Sequence, residues 1–195
     1  EGLSSELEGR ISRGELDFVI VLSDRCGPDL VEHDLLTDQV YLCVPESLLQ
    51  QYYSGEEIER IKEESGQGAN IRSFARLPFA LMTNRLGGRI WECFQREGIT
   101  PAAYFKGPST SQILPLCVRG ICACYCTHMS LVEKREQLGE HINVFPLLDQ
   151  GQPVVQRISL LRHKQRYLTH FSKYFMELLF DTVARMERIQ VVHTV

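Results

Sequence analysis

No run of apolar residues in the 195-residue sequence approaches the roughly 20 that span a bilayer. The opening EGLSSELEGR also lacks a basic start followed by an apolar core, so neither a membrane span nor a secretory signal is read. Excess positive charge is missing too. Twenty-one Lys plus Arg face 25 Asp plus Glu, a net charge of −4, which leaves no broad basic field for a phosphate backbone. There is no low-complexity tract and no internal repeat of fixed period. His33, His128, His141, His163, His170 and His193 show no two-histidine metal spacing on a common helix. No Ser-His-Asp, Cys-His or paired-carboxylate arrangement stands out, so the reading is non-enzymatic, without cofactor or metal. What is present is ordinary globular material, 44% hydrophobic and 24% charged. Seven cysteines, an odd number unevenly placed, suit reduced thiols and a cytoplasmic setting better than a disulfide framework.

Along the chain, apolar strands and amphipathic helices alternate, which predicts an α/β fold. Ser5 and Glu8 stand at capping-box spacing, Leu3, Leu7 and Ile11 share a helical face, and Gly14 stops the helix. Residues 16–22 are nearly all apolar and read as a strand covered on both faces, followed by turn chemistry in 24–29 and a second strand over 39–44 ended by Pro45. Residues 47–76 are charged and weakly periodic, and read as a surface insertion with an exposed helix near 55–65. Residues 78–83 are strand-like, 84–88 form a glycine-containing loop, and a helix then carries Ile90, Trp91 and Phe94. A short strand at 102–106, a helix stopped by Gly120, strands at 121–126 and 154–161, and a helix at 168–188 complete the pattern. In that last helix Leu168, Phe171, Phe175, Leu178, Leu179 and Val183 share one side.

Three loops offer binding chemistry. Ser4 and Ser5 can cap a helix or present hydroxyls to a ligand. Thr83, Asn84, Arg85, Gly87, Gly88 and Arg89 join a strand to a helix with two cations and no acid before Glu92, which suits an anion. Ser109, Thr110 and Ser111 precede another helix. Cys122, Cys124 and Cys126 alternate, placing three thiols on one face of a strand, but no partner pair at zinc-site spacing accompanies them and the reading is buried apolar cysteine.

The order of these pieces resembles the effector-binding domain of LysR-type transcriptional regulators. Carrying the resemblance are Ser4, the Gly14-Glu15-Leu16-Asp17 entry into FVIVL, Asp34-Leu35-Leu36 leading to Val44-Pro45, Leu77-Pro78-Phe79-Ala80-Leu81, GRIWECFQREGITP and STSQILPLCVRG. The segment after Gly120 departs from the family's small-Gly-small pattern ending in Pro. The resemblance implies two Rossmann-like lobes with a hinge, similar to type 2 periplasmic binding proteins, and a cleft for a small-molecule effector. It further implies a homodimer or tetramer formed through this domain, and DNA contact only through an N-terminal winged helix-turn-helix that these residues do not include. The lobes are expected over 1–76 with 155–195, and over 77–154. A small, anionic effector is expected on Ser4, Ser5, Thr83, Asn84, Arg85, Ser109 and Thr110, with a solute-binding protein of a transport system as the alternative.

Overall fold

A computed structural model describes residues 4–22 and 27–195, without the side chains of Ser4, Ser5 and Glu8. The chain divides into two compact units, Glu1–Asp38 with Val155–Ile189 and Gln39–Val154 with Gln190–Val195.

In the first unit α1 (Ser4–Ser12) packs Leu7 and Ile11 inward and ends at Gly14, whose φ of +74° favours glycine. β1 (Val19–Leu22) and the first part of β2 (Leu30–Pro45) flank β9 (Val155–His163), with Val19 antiparallel to Leu161. The expected two-sided burial of 16–22 gives way to alternation: Val19 and Val21 are buried while Ile20 is 48% exposed, as befits a strand at a sheet edge. The core is small, built on Ile11, Val19, Val21, Leu30 and Leu161. α8 (His170–Glu187) is capped by the Thr169 hydroxyl, which accepts the Ser172 N–H. Its apolar side is mostly not core: Val183 is buried, whereas Phe171 is 82% exposed and Phe175, stacked on Phe18 at 5.6 Å, remains 45% exposed.

The second unit holds the large core. The later part of β2 is followed by α2 (Glu46–Tyr52), α3 (Gly55–Ser65), β3 (Ala69–Asn70) and a 3₁₀ turn (Ile71–Phe74). β4 (Pro78–Met82), α4 (Arg85–Arg96), β5 (Ala102–Gly107), α5 (Thr110–Val118), β6 (Cys124–Thr127) and α6 (His128–Glu133) come next. α7 (Arg135–Leu138), β7 (Ile142–Asp149) and β8 (Gln152–Pro153) close the run. β2 pairs antiparallel with both β6 and β7, β3 adds to β7, and β4 pairs parallel with β5. A parallel bridge between Phe79 and Ala123 puts the chain leading into β6 on the other side of β4.

Two expectations are corrected here. Residues 39–76 pack with the second unit, because Val40 to Pro45 hydrogen-bond with β6 and β7. Residues 190–195 join it as well, with His193 bridged to Val144. The stretch read as a surface insertion contributes Leu48, Leu49, Ile58, Ile61, Ile71 and Phe74 to the core, all at most 6% exposed. Its charges occupy the outer faces of helices whose inner faces are sparse but apolar. α3 does fall at 55–65, and Ser54 with Glu57 closes a complete capping box at its start.

Candidate functional site

β4, β5 and the chain into β6 run parallel, so their carboxyl ends at Met82, Gly107 and Thr127 are each followed by a helix N-terminus. In open α/β sheets this is where ligands meet backbone N–H groups and the positive ends of helix dipoles. Two of the loops are tied together. The Thr83 N–H donates to the Gly107 carbonyl at 2.9 Å, and Asn84 Nδ2 donates to the Pro108 carbonyl at 3.1 Å. Asn84 Oδ1 accepts the Gly87 N–H at 3.0 Å, capping α4. The expected glycine loop at 84–88 is therefore helical from Arg85 onward. Gly87 is required there, since a Cβ would lie 1.7 Å from the Met82 carbonyl oxygen.

The sequence-predicted residues Thr83, Asn84, Arg85, Ser109 and Thr110 come together on this end of the second unit. Thr83, Asn84 and Arg85 are exposed, and Ser109 and Thr110 are half-buried. Asn84 uses both ends of its amide to hold the loops, so its role is to position them. Ser109 stands at the N-cap of α5 and makes no side-chain cap bond to that helix. Thr110 Oγ1 lies 3.9 Å from Met82 Sδ. No acidic residue occurs in 83–91 or 107–115. Ser4 and Ser5 belong to the first unit and open α1 from within its first turn; their side chains lie outside the described residues.

Three contributors escaped sequence reading. Thr127 caps α6 by accepting the Ser130 N–H, and the ring of His128 beside it lies tilted by 48° against that of Tyr41 with centroids 6.0 Å apart. Thr127 at the end of an apolar strand was a legible cap signal. Tyr125 is completely buried and its hydroxyl accepts the Met82 N–H at 2.7 Å, fixing the end of β4. Burial pushes the Tyr125 phenol up to about 12, so it stays neutral and keeps this contact.

Of the alternating cysteines, Cys124 and Cys126 are joined by Cys43 of β2, with the three sulfurs all within 4.8 Å of one another. Hydrogen bonds with Cys124 and Cys126 hold the Cys43 thiol below its ordinary range, against burial, which raises it. Cys122 lies apart from the trio, and burial pushes its thiol up to about 12.

Two α/β units, one presenting tied loops and helix N-termini free of acidic side chains at its strand ends, have the architecture in which α/β domains place ligand sites. The family model described as the LysR substrate binding domain matches residues 1–184, and the chain belongs to that family. It is thus a ligand-sensing regulatory domain of the LysR type rather than the solute-binding protein of a transporter. Among solved structures, the effector-binding domain of QuiR in complex with shikimate is similar with a TM-score of 0.60 and 15% identity, covering 94% of this chain and 79% of that one. The regulatory domain of Synechocystis PCC6803 CcmR in complex with 2-PG gives 0.63 and 13%, covering 94% and 81%. Full-length CbnR complexed with its target DNA gives 0.60 and 14%, and the match spans 96% of this chain but 59% of CbnR. These likenesses carry the fold. Comparison with curated proteins gives no match. Among the described residues no helix is long and apolar enough to cross a membrane.

Proposed function

We propose that this domain senses a small anionic effector with the strand-end face of its second unit. The carrying observation is the pair of tied loops, Thr83 to Gly107 and Asn84 to Pro108, which set Arg85 and the α5 N-terminus with Ser109 and Thr110 at one end of the sheet. Arg85 supplies charge, Thr83, Ser109 and Thr110 supply hydroxyls, and α5 supplies backbone N–H groups. Ser4 and Ser5 are the candidates that the sequence offers in the first unit. Shikimate, the molecule held by QuiR, is a carboxylate, which supports an anion as the class.

In this reading the domain performs no reaction. Ligand acts by binding one arrangement of the domain better than another, with a coupling of about 1 to 3 kcal/mol passed to the oligomer. DNA contact belongs to the DNA-binding part of a LysR-type regulator, acting in the cytoplasm. Calorimetry against a panel of carboxylates, phosphates and sulfate tests the site. Arg85→Ala and Thr110→Ala should each lose about 1 to 3 kcal/mol of binding if the contacts are charge-assisted. Unchanged affinity in both variants, or tight binding of uncharged compounds alone, overturns it.

A further inference from the structure

Four of the seven cysteines converge in the core of the second unit from three separate stretches of sequence. Cys124 and Cys126 alternate on β6, so their side chains share one face. Cys43 is the cross-strand partner of Cys124 and projects from the same face. The three sulfurs lie within 4.8 Å of one another. Cys117 comes from α5, which packs on β6; its Sγ is 3.4 Å from the Cys43 carbonyl oxygen, and it stands outside the group of three sulfurs. All four are completely buried, and none is in a disulfide.

A single buried cysteine packs as a small apolar side chain. Three at one point, with Cys117 on the adjoining helix, form a set of soft donors with no carboxylate or imidazole among them, which disfavours magnesium, calcium and manganese and favours thiophilic ions. Zinc–sulfur bonds of about 2.3 Å place the sulfurs of a tetrahedral site about 3.8 Å apart. Three sulfurs within 4.8 Å therefore need to contract by roughly 1 Å at most to close on one ion. Three donors come from the sheet, and the helix packed on β6 carries Cys117, which must swing toward them to serve as the fourth. The sequence alone concealed this, because Cys122 looked like the third member, whereas the third sulfur of the group is that of Cys43 on β2.

We propose that Cys43, Cys117, Cys124 and Cys126 form a thiolate site for one structural zinc ion, acquired while the chain folds. Binding exchanges four thiol protons, released to solvent, for one Zn²⁺. The ion fastens β2 to β6 and clamps α5, the helix whose N-terminus belongs to the proposed effector face, although zinc uptake does not depend on effector binding.

The test is to unfold the 195-residue chain with reductant and chelator, then refold it anaerobically with or without one equivalent of zinc sulfate. Native mass spectrometry should show one zinc per chain, retained against EDTA until denaturant is added. Refolding with Co²⁺ should give thiolate-to-cobalt charge-transfer absorption and tetrahedral d–d bands, and this reads the site without any substitution. Cys43→Ala and Cys124→Ala should lose the bound equivalent, while Cys93→Ala and Cys122→Ala, outside the group, should keep it. A natively folded chain that retains no zinc and shows no cobalt bands overturns the proposal. So does zinc retained equally by folded Cys43→Ala and Cys124→Ala, or retention of Cu⁺ without Zn²⁺.

Discussion

Glu46 opens α2 with its carboxylate held on both sides: Asn143 Nδ2 donates to Oε2 at 2.8 Å and Lys62 Nζ donates to Oε1 at 2.9 Å. Lys62 and Asn143 in turn engage Val195, so four residues far apart in sequence share one polar node. Burial works to raise the Glu46 carboxyl, but the hydrogen bonds from Asn143 and Lys62 outweigh it and hold the group below the usual carboxylate range. A carboxyl whose folded value lies below its unfolded value stabilises the fold above the unfolded value and loses that contribution as pH falls through the folded one. Glu46→Gln should therefore lower stability at neutral pH by about 1 to 3 kcal/mol. The gap from the unaltered chain should narrow as pH drops below about 4.3. Urea midpoints across a pH series check this, and a gap independent of pH removes the assigned cause. Nothing in the local sequence announces this node, since its members are individually ordinary polar residues that only the tertiary fold brings together. Asn84 is the opposite case. Its position between an apolar strand and an amphipathic helix was visible, and what remained hidden was that its amide serves the Gly87 N–H and the Pro108 carbonyl.

Elements with a clear apolar rhythm were legible. β4, α4, β5 and α5 fall close to the expected residues because each alternates or repeats on one face and is punctuated by Asn, Gly, Ser or Pro. The start of α4 was misread because glycines are poor helix formers and suggest a loop. At Gly87 that cost is outweighed by the need for close approach to the Met82 carbonyl, whereas Gly88 faces open space. Substitutions at these adjacent positions should therefore act in opposite directions. Gly87→Ala should destabilise by about 3 kcal/mol or more through forced overpacking. Gly88→Ala should stabilise by up to about 1 kcal/mol through helix propensity. Chemical denaturation of the two variants decides it, and equal effects would refute the close-approach argument. The 47–76 stretch was misjudged for a different reason: charged residues dominate its composition, while Leu48, Leu49, Ile58 and Ile61 are few but correctly spaced to reach the core. α8 erred the other way, since its apolar side is continuous in sequence yet largely exposed in the fold.

At the scale of the whole molecule, the alternation of strands and helices made the α/β class legible, but not where one unit ends. β2 is a single 16-residue strand, and only the change in its burial, from mixed before Asp38 to continuous after Val40, marks the crossing. Association is the property on which the exposed surface bears most directly. Among the described residues β5 pairs with β4 alone, and Ala102, Ala103, Tyr104, Phe105 and Lys106 are all exposed, Tyr104 by 61%. A strand with one edge unpaired among the described residues and with exposed aromatics invites pairing with another chain, and Lys106 is the sole charge on it to discourage that. A two-fold interface formed by one such surface on each copy closes on itself and stops at a dimer. Sedimentation velocity at micromolar concentration should accordingly show a species of twice 22.4 kDa. Tyr104→Lys, which adds charge at the centre of the edge, should shift the population to monomer without altering the circular dichroism. The aromatic side of α8, with Tyr167 84% and Phe171 82% exposed, is the competing surface. A dimer that survives Tyr104→Lys but is lost in Phe171→Lys places the contact on α8, and a chain that stays at 22.4 kDa at tens of micromolar rules out a dimer formed by this domain alone.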